Sequence, residues 1–125
     1  MRTVVLENTG KGQFVRHDLP VQAQYAPVFA IAATDMDRDG KKDLILCGNQ
    51  SGTRIKYGKY DANRGFIFRN EGDFKFSYLS PARTGISLHG DIRSIAVMQS
   101  GDKLLFGING GIIHTLQKND IPKSK

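Results

Sequence analysis

Ala30-Ile31-Ala32-Ala33-Thr34-Asp35-Met36-Asp37-Arg38-Asp39-Gly40-Lys41-Lys42-Asp43-Leu44-Ile45-Leu46-Cys47 is the stretch that decides how this chain is read. An aliphatic run rich in small residues enters an acidic loop, and a second aliphatic run leaves it. Asp35, Asp37, Asp39 and Asp43 stand at positions 1, 3, 5 and 9 of that loop. Alternate residues of a tight loop aim their carboxylates at one centre, and calcium takes six to eight oxygen ligands at about 2.3–2.6 Å. Gly40 lets the backbone turn sharply after the third aspartate. The Lys41 carbonyl then supplies an uncharged ligand before Asp43 closes the cage. With no cation, four carboxylates so close together repel one another. Position 12, where EF-hand and dockerin loops need an acid, is Leu46, and no helix flanks the loop. The expected site is therefore a calcium clamp between two strands, set against the alternative of a solvated, metal-free Asp-rich turn.

Outward from the loop the period is that of strands. Residues 4–7 and 13–19 flank the turn Asn8-Thr9-Gly10-Lys11-Gly12. Residues 28–33 and 43–47 flank the acidic loop. Residues 65–69 lead into a turn expected at Asn70-Glu71-Gly72-Asp73. In residues 74–79, Phe74, Phe76 and Tyr78 alternate with polar residues, as in a half-buried strand. Residues 92–98, 103–108 and 112–117 follow, the last two joined by Asn109-Gly110-Gly111, a strong hairpin signal. No helix is expected, and the chain reads as all-β.

The strands fall into sets of two, four and about three. Two sets open on an aliphatic strand that turns and pairs with a second one, and Asn8 to Phe14 echoes Asn70 to Phe76. This predicts four-stranded antiparallel propeller blades, about two in number. Residues 1–20 end a preceding blade, 21–80 form a complete blade with the calcium loop, and 81–125 form a final incomplete one. A ring so short cannot close. Open edges and apolar faces at Phe29, Ile31, Ile95 and Val97 predict self-association, readable by light scattering.

The acidic loop and its flanking strands resemble the FG-GAP/VCBS repeat of β-propellers, whose blades carry a DxDxDGxxDL calcium loop between their first two strands. The similarity extends to Gly48-Asn49, to Gly58-Lys59-Tyr60-Asp61-Ala62-Asn63-Arg64-Gly65 and to Gly85 through Arg93. It implies the C-terminal segment of a large VCBS protein of the ASPIC/UnbV-like kind, located outside the cell, in the periplasm or at the cell surface. It places the metal ligands on Asp35, Asp37, Asp39, Lys41 (main chain) and Asp43. The equivalent turn of the next unit, Ser100-Gly101-Asp102-Lys103, lacks the pattern and is expected to bind no metal.

Composition narrows the function. The 125 residues are 39% hydrophobic and 24% charged, enough for one domain. No 18-residue apolar run offers a membrane span, and the first residues do not read as a signal peptide. Cys47, the single cysteine, sits in an apolar strand and is expected to pack as a small hydrophobe. The net charge of +6 is scattered except at the tail, so nucleic acid is not an expected partner. His17, His89 and His114 share no ligand spacing. Ser87, His89 and Asp91 alternate along one segment, which cannot form a nucleophile–base relay. Tyr57, Tyr60, Asp61, Asn63 and Arg64, in the long 50–63 connection and just beyond it, are the candidate loop for a protein or carbohydrate ligand. The function expected is a non-catalytic, calcium-stabilised binding or scaffolding segment. The alternatives are an accessory part of an enzyme whose centre lies elsewhere, or a polyanion-binding module.

Overall fold

The computed structural model describes residues 2–49, 65–84, 86 and 88–117. The candidate ligand loop from Tyr57 to Arg64 and the residue Ser87 lie outside them. Among the described residues nine strands form three antiparallel sheets of two, four and three strands, so the chain is all-β, in the grouping expected from its period.

The first sheet pairs β1 (Val4–Asn8) with β2 (Phe14–Asp18). Its turn is closed by the Asn8 side chain, which accepts the Gly10 N–H at 2.9 Å, and by Thr9, whose N–H reaches the Gln13 carbonyl at 3.1 Å. A meander follows in the order β3 (Val28–Thr34), β4 (Asp43–Gly48), β5 (Phe66–Gly72) and β6 (Lys75–Leu79). The third sheet is β7 (Ile92–Val97), β8 (Lys103–Ile108) and β9 (His114–Gln117).

The four-stranded sheet is covered on both faces at its central strands β4 and β5, which explains why these are apolar without alternation. Toward the third sheet it presents Ile45, Cys47 and Ile67, which meet Ile92, Leu104 and Phe106 in one buried cluster. Toward the first sheet it presents Leu46, Phe66 and Phe68, which pack with Leu19, Ala23 and Val5. Each fully buried Leu, Ile or Phe among them contributes about 1.5–3 kcal/mol by leaving water. A polar seam also joins the second and third sheets. Arg93 donates to the Asn49 carbonyl at 2.8 Å and lies 4.2 Å over the Phe29 ring, while the Asn49 amide donates to the Gly90 carbonyl.

Three expectations need adjusting. Among the described residues two single helical turns occur, a 3₁₀ turn at Val21–Gln24 and an α turn at Pro81–Thr84; each is too short to leave a 3.6-residue period. The β5–β6 turn sits at Asp73 and Phe74, both at positive φ, while β5 runs on through Asn70, Glu71 and Gly72 with a bulge between Asn70 and Gly72. Of the four apolar positions expected to be bare, Phe29, Ile31 and Val97 are exposed, whereas Ile95 packs against the core.

Candidate metal centre

The loop between β3 and β4 hangs from two fixed strands. The register sets Thr34 opposite Asp43 and Ala33 opposite Leu44, so the chain must reverse within eight residues. Arg38 and Gly40 take up left-handed backbone, at φ of 62° and 87°. Glycine does this freely, and Arg38 is one of four non-glycine residues doing so among those described.

Asp35, Asp37 and Asp39 converge, each offering one carboxylate oxygen within 4.8 Å of the others. Backbone donors fix two of them. Asp35 accepts the Asp39 N–H at 3.1 Å and the Gly40 N–H at 2.8 Å. Asp39 accepts the Lys41 N–H at 2.8 Å, which holds its carboxyl below the ordinary value. Asp37 is different. Its side chain is 1% exposed, yet neither of its carboxylate oxygens accepts a hydrogen bond. Burial, and then the charge of Asp39, push its carboxyl above the ordinary value.

Asp43 stands beside this trio rather than within it. Its Oδ2 accepts the Met36 N–H at 2.9 Å and its Oδ1 the Asn70 N–H at 2.8 Å. It thereby stitches the loop to β5, helped by the Asn70 amide donating to the Lys42 carbonyl at 3.0 Å. Burial raises its carboxyl too. Each carboxylate oxygen keeps a further lone pair, so this stitching does not bar Asp43 from also serving an ion. Lys41 enters through its N–H, and through its ammonium 3.7 Å from Asp39.

Sequence reasoning missed Asn70 and Arg69. Arg69 reaches in from β5, its Nε 3.0 Å from Asp37 Oδ2 and its side chain 11% exposed. The Nε–H is not aimed at that oxygen, so charge rather than a hydrogen bond holds the pair. The available signal was the charged residue ending the run Phe66-Ile67-Phe68. The register that sets Leu44 opposite Phe68 brings Arg69 and Asn70 beside the exit of the loop.

Elsewhere, His17 is paired with Glu7 at 2.8 Å. His89 is exposed, and Asp91 is buried beside Arg93. No helix among the described residues is long and apolar enough to cross a membrane.

An all-β chain with three converging aspartates between two strands is the class that the fold and the site define. Compared with protein-family models, with curated proteins and with solved structures, the chain finds no match.

Proposed function

We propose that this chain is a non-catalytic, calcium-stabilised binding or scaffolding segment built from β-propeller blades of the FG-GAP/VCBS kind. The observation that carries the metal reading is Asp37, a carboxylate shut away from water with no hydrogen-bond donor on either oxygen. Buried polar atoms are nearly always satisfied, and a cation among Asp35, Asp37 and Asp39 would satisfy these. The residues fit a hard, oxygen-seeking ion, because the donors are carboxylates with no sulfur or imidazole among them. Asp35, Asp37, Asp39, the Lys41 carbonyl and Asp43 would hold it. The ion would supply charge neutralisation, pinning β3 to β4 and, through Asp43 and Asn70, to β5. The blade reading draws support from the antiparallel meander and from the face-to-face packing of successive sheets. Location outside the cell follows from the resemblance and suits weak calcium binding, about 10⁻⁴–10⁻³ M for extracellular modules. The polyanion reading gains nothing from Arg2, Arg16, Lys41, Arg69 and Arg93, each of which stands beside a carboxylate.

One melting series tests this. Calcium at a hundredfold excess over Kd should raise stability by roughly 2.7 kcal/mol, and Asp37→Ala should abolish that rise. Acidity should then act with opposite signs in the two conditions. Asp37 and Asp43 have folded-state values above the ordinary 3.8, so without metal the folded chain binds more protons than the unfolded one. Its stability therefore grows as pH falls through the raised values toward 3.8. Asp39 and Asp18, both lowered, lose their contribution only below that window. With calcium the ligands must be deprotonated, and the same acidification should lower the melting temperature. A melting curve indifferent to both EDTA and calcium would remove the metal reading.

A further inference from the structure

We propose that Arg69 is a tethered cation that sets the strength and the charge preference of the metal centre, sharing Asp37 with the ion the loop holds. The inference rests on the metal reading above and concerns a residue outside the loop. Arg69 arrives from β5, and its Nε stands 3.0 Å from Asp37, the buried member of the converging trio. A guanidinium normally binds a carboxylate through aligned, often paired N–H bonds. This one leaves its buried Nε–H without an acceptor. Its place is thus set by the register of β5 and by attraction to Asp37, not by an optimised pair. Lys41, on the loop itself, is 48% exposed and 3.7 Å from Asp39, where water screens it. Arg69 acts where screening is least.

The charge count shows what this does. Asp35, Asp37, Asp39 and Asp43 carry four negative charges and Arg69 one positive, leaving −4 + 1 = −3. That fixed positive charge relieves the empty loop of part of its self-repulsion, so the fold tolerates loss of the ion. It also repels whatever cation shares Asp37, and repels it in proportion to that cation's charge. Arg69 therefore weakens binding, keeps it reversible, and disfavours a trivalent ion more than a divalent one.

The test titrates the full chain with Ca²⁺ by calorimetry and with Tb³⁺ by luminescence, comparing wild type, Arg69→Met and Arg69→Lys. A neighbouring opposite charge changes the proton affinity of a carboxylate by about one to three log units. Allowing for the longer distance to an ion, Arg69→Met should tighten Ca²⁺ about tenfold and Tb³⁺ about thirtyfold. Arg69→Lys, which keeps the charge, should stay within about threefold of wild type. If Arg69→Met does not fold, Arg69→Gln carries the same expectation with a polar head in place. Unchanged affinities in the neutral variant, or equal gains for the two ions, would overturn the role of Arg69 and leave the metal site standing. A wild type that binds neither ion would overturn the metal reading and this proposal together.

Discussion

Asp43→Ala is expected to destabilise the chain by roughly 2–5 kcal/mol in the presence of EDTA, where no metal contributes. Asp43 is 1% exposed, and each of its two oxygens is committed to a backbone donor, Met36 N–H and Asn70 N–H. Alanine offers neither acceptor. The Met36 donor is buried with its residue, and each buried donor left bare costs about 1–3 kcal/mol. Asp43→Asn should fall between, since the amide keeps one accepting oxygen and turns its other end into a donor facing a donor. Removal of the buried charge offsets part of the loss in both variants, but it does not replace two anchored N–H groups. Urea unfolding in EDTA measures the effect. A midpoint equal to that of wild type would show that water or a shifted backbone satisfies those donors, and that the stitch between loop and β5 carries no energy.

Gly48→Ala should be more damaging still, with a loss above about 4 kcal/mol or no folded protein recovered. A Cβ at Gly48 would stand 1.7 Å from the Pro27 carbonyl oxygen and 2.9 Å from its carbon. The obstacle is backbone, so no rotamer change relieves it. Gly48 pairs with Val28 at the head of β3, where the register already slips before Ala30. Parting the strands there would also drag Asn49 from its contacts with Gly90 and Arg93. Gly12→Ala makes the comparison. That glycine has a φ of 69° with nothing within 4 Å, so only the left-handed backbone is penalised, at about 1–2 kcal/mol. Two variants of equal stability would mean that the β3–β4 junction relaxes at little cost.

Much of this was readable from residue order, and the exceptions share a cause. β8 runs over residues 103–108 as its period dictates, and β3 and β4 meet their expected bounds to within one residue. The aspartate spacing brought Asp35, Asp37 and Asp39 together, because a loop this tight leaves the chain few other courses. Remote partners were not legible. Asn-Glu-Gly-Asp looks locally like the β5–β6 turn, yet the reversal falls on Asp73 and Phe74. The Phe74 ring stacks on His17 with centroids 4.8 Å apart, a contact supplied by another sheet. Arg69 and Asn70 come to the acidic loop only through the β4–β5 register, with a long connection between those strands in sequence.

Cys47 has a practical consequence. Its thiol is 0% exposed, lies in the cluster between the second and third sheets, and is pushed up to about 12 by burial. Alkylating reagents attack the thiolate, so the folded chain should be inert to them, and labelling proceeds only through openings that part these sheets. As the single thiol, it acts as a reaction clock for the sheet joined to the acidic loop. The labelling rate, followed with and without calcium by mass spectrometry, reads whether added calcium quiets the opening of the interior.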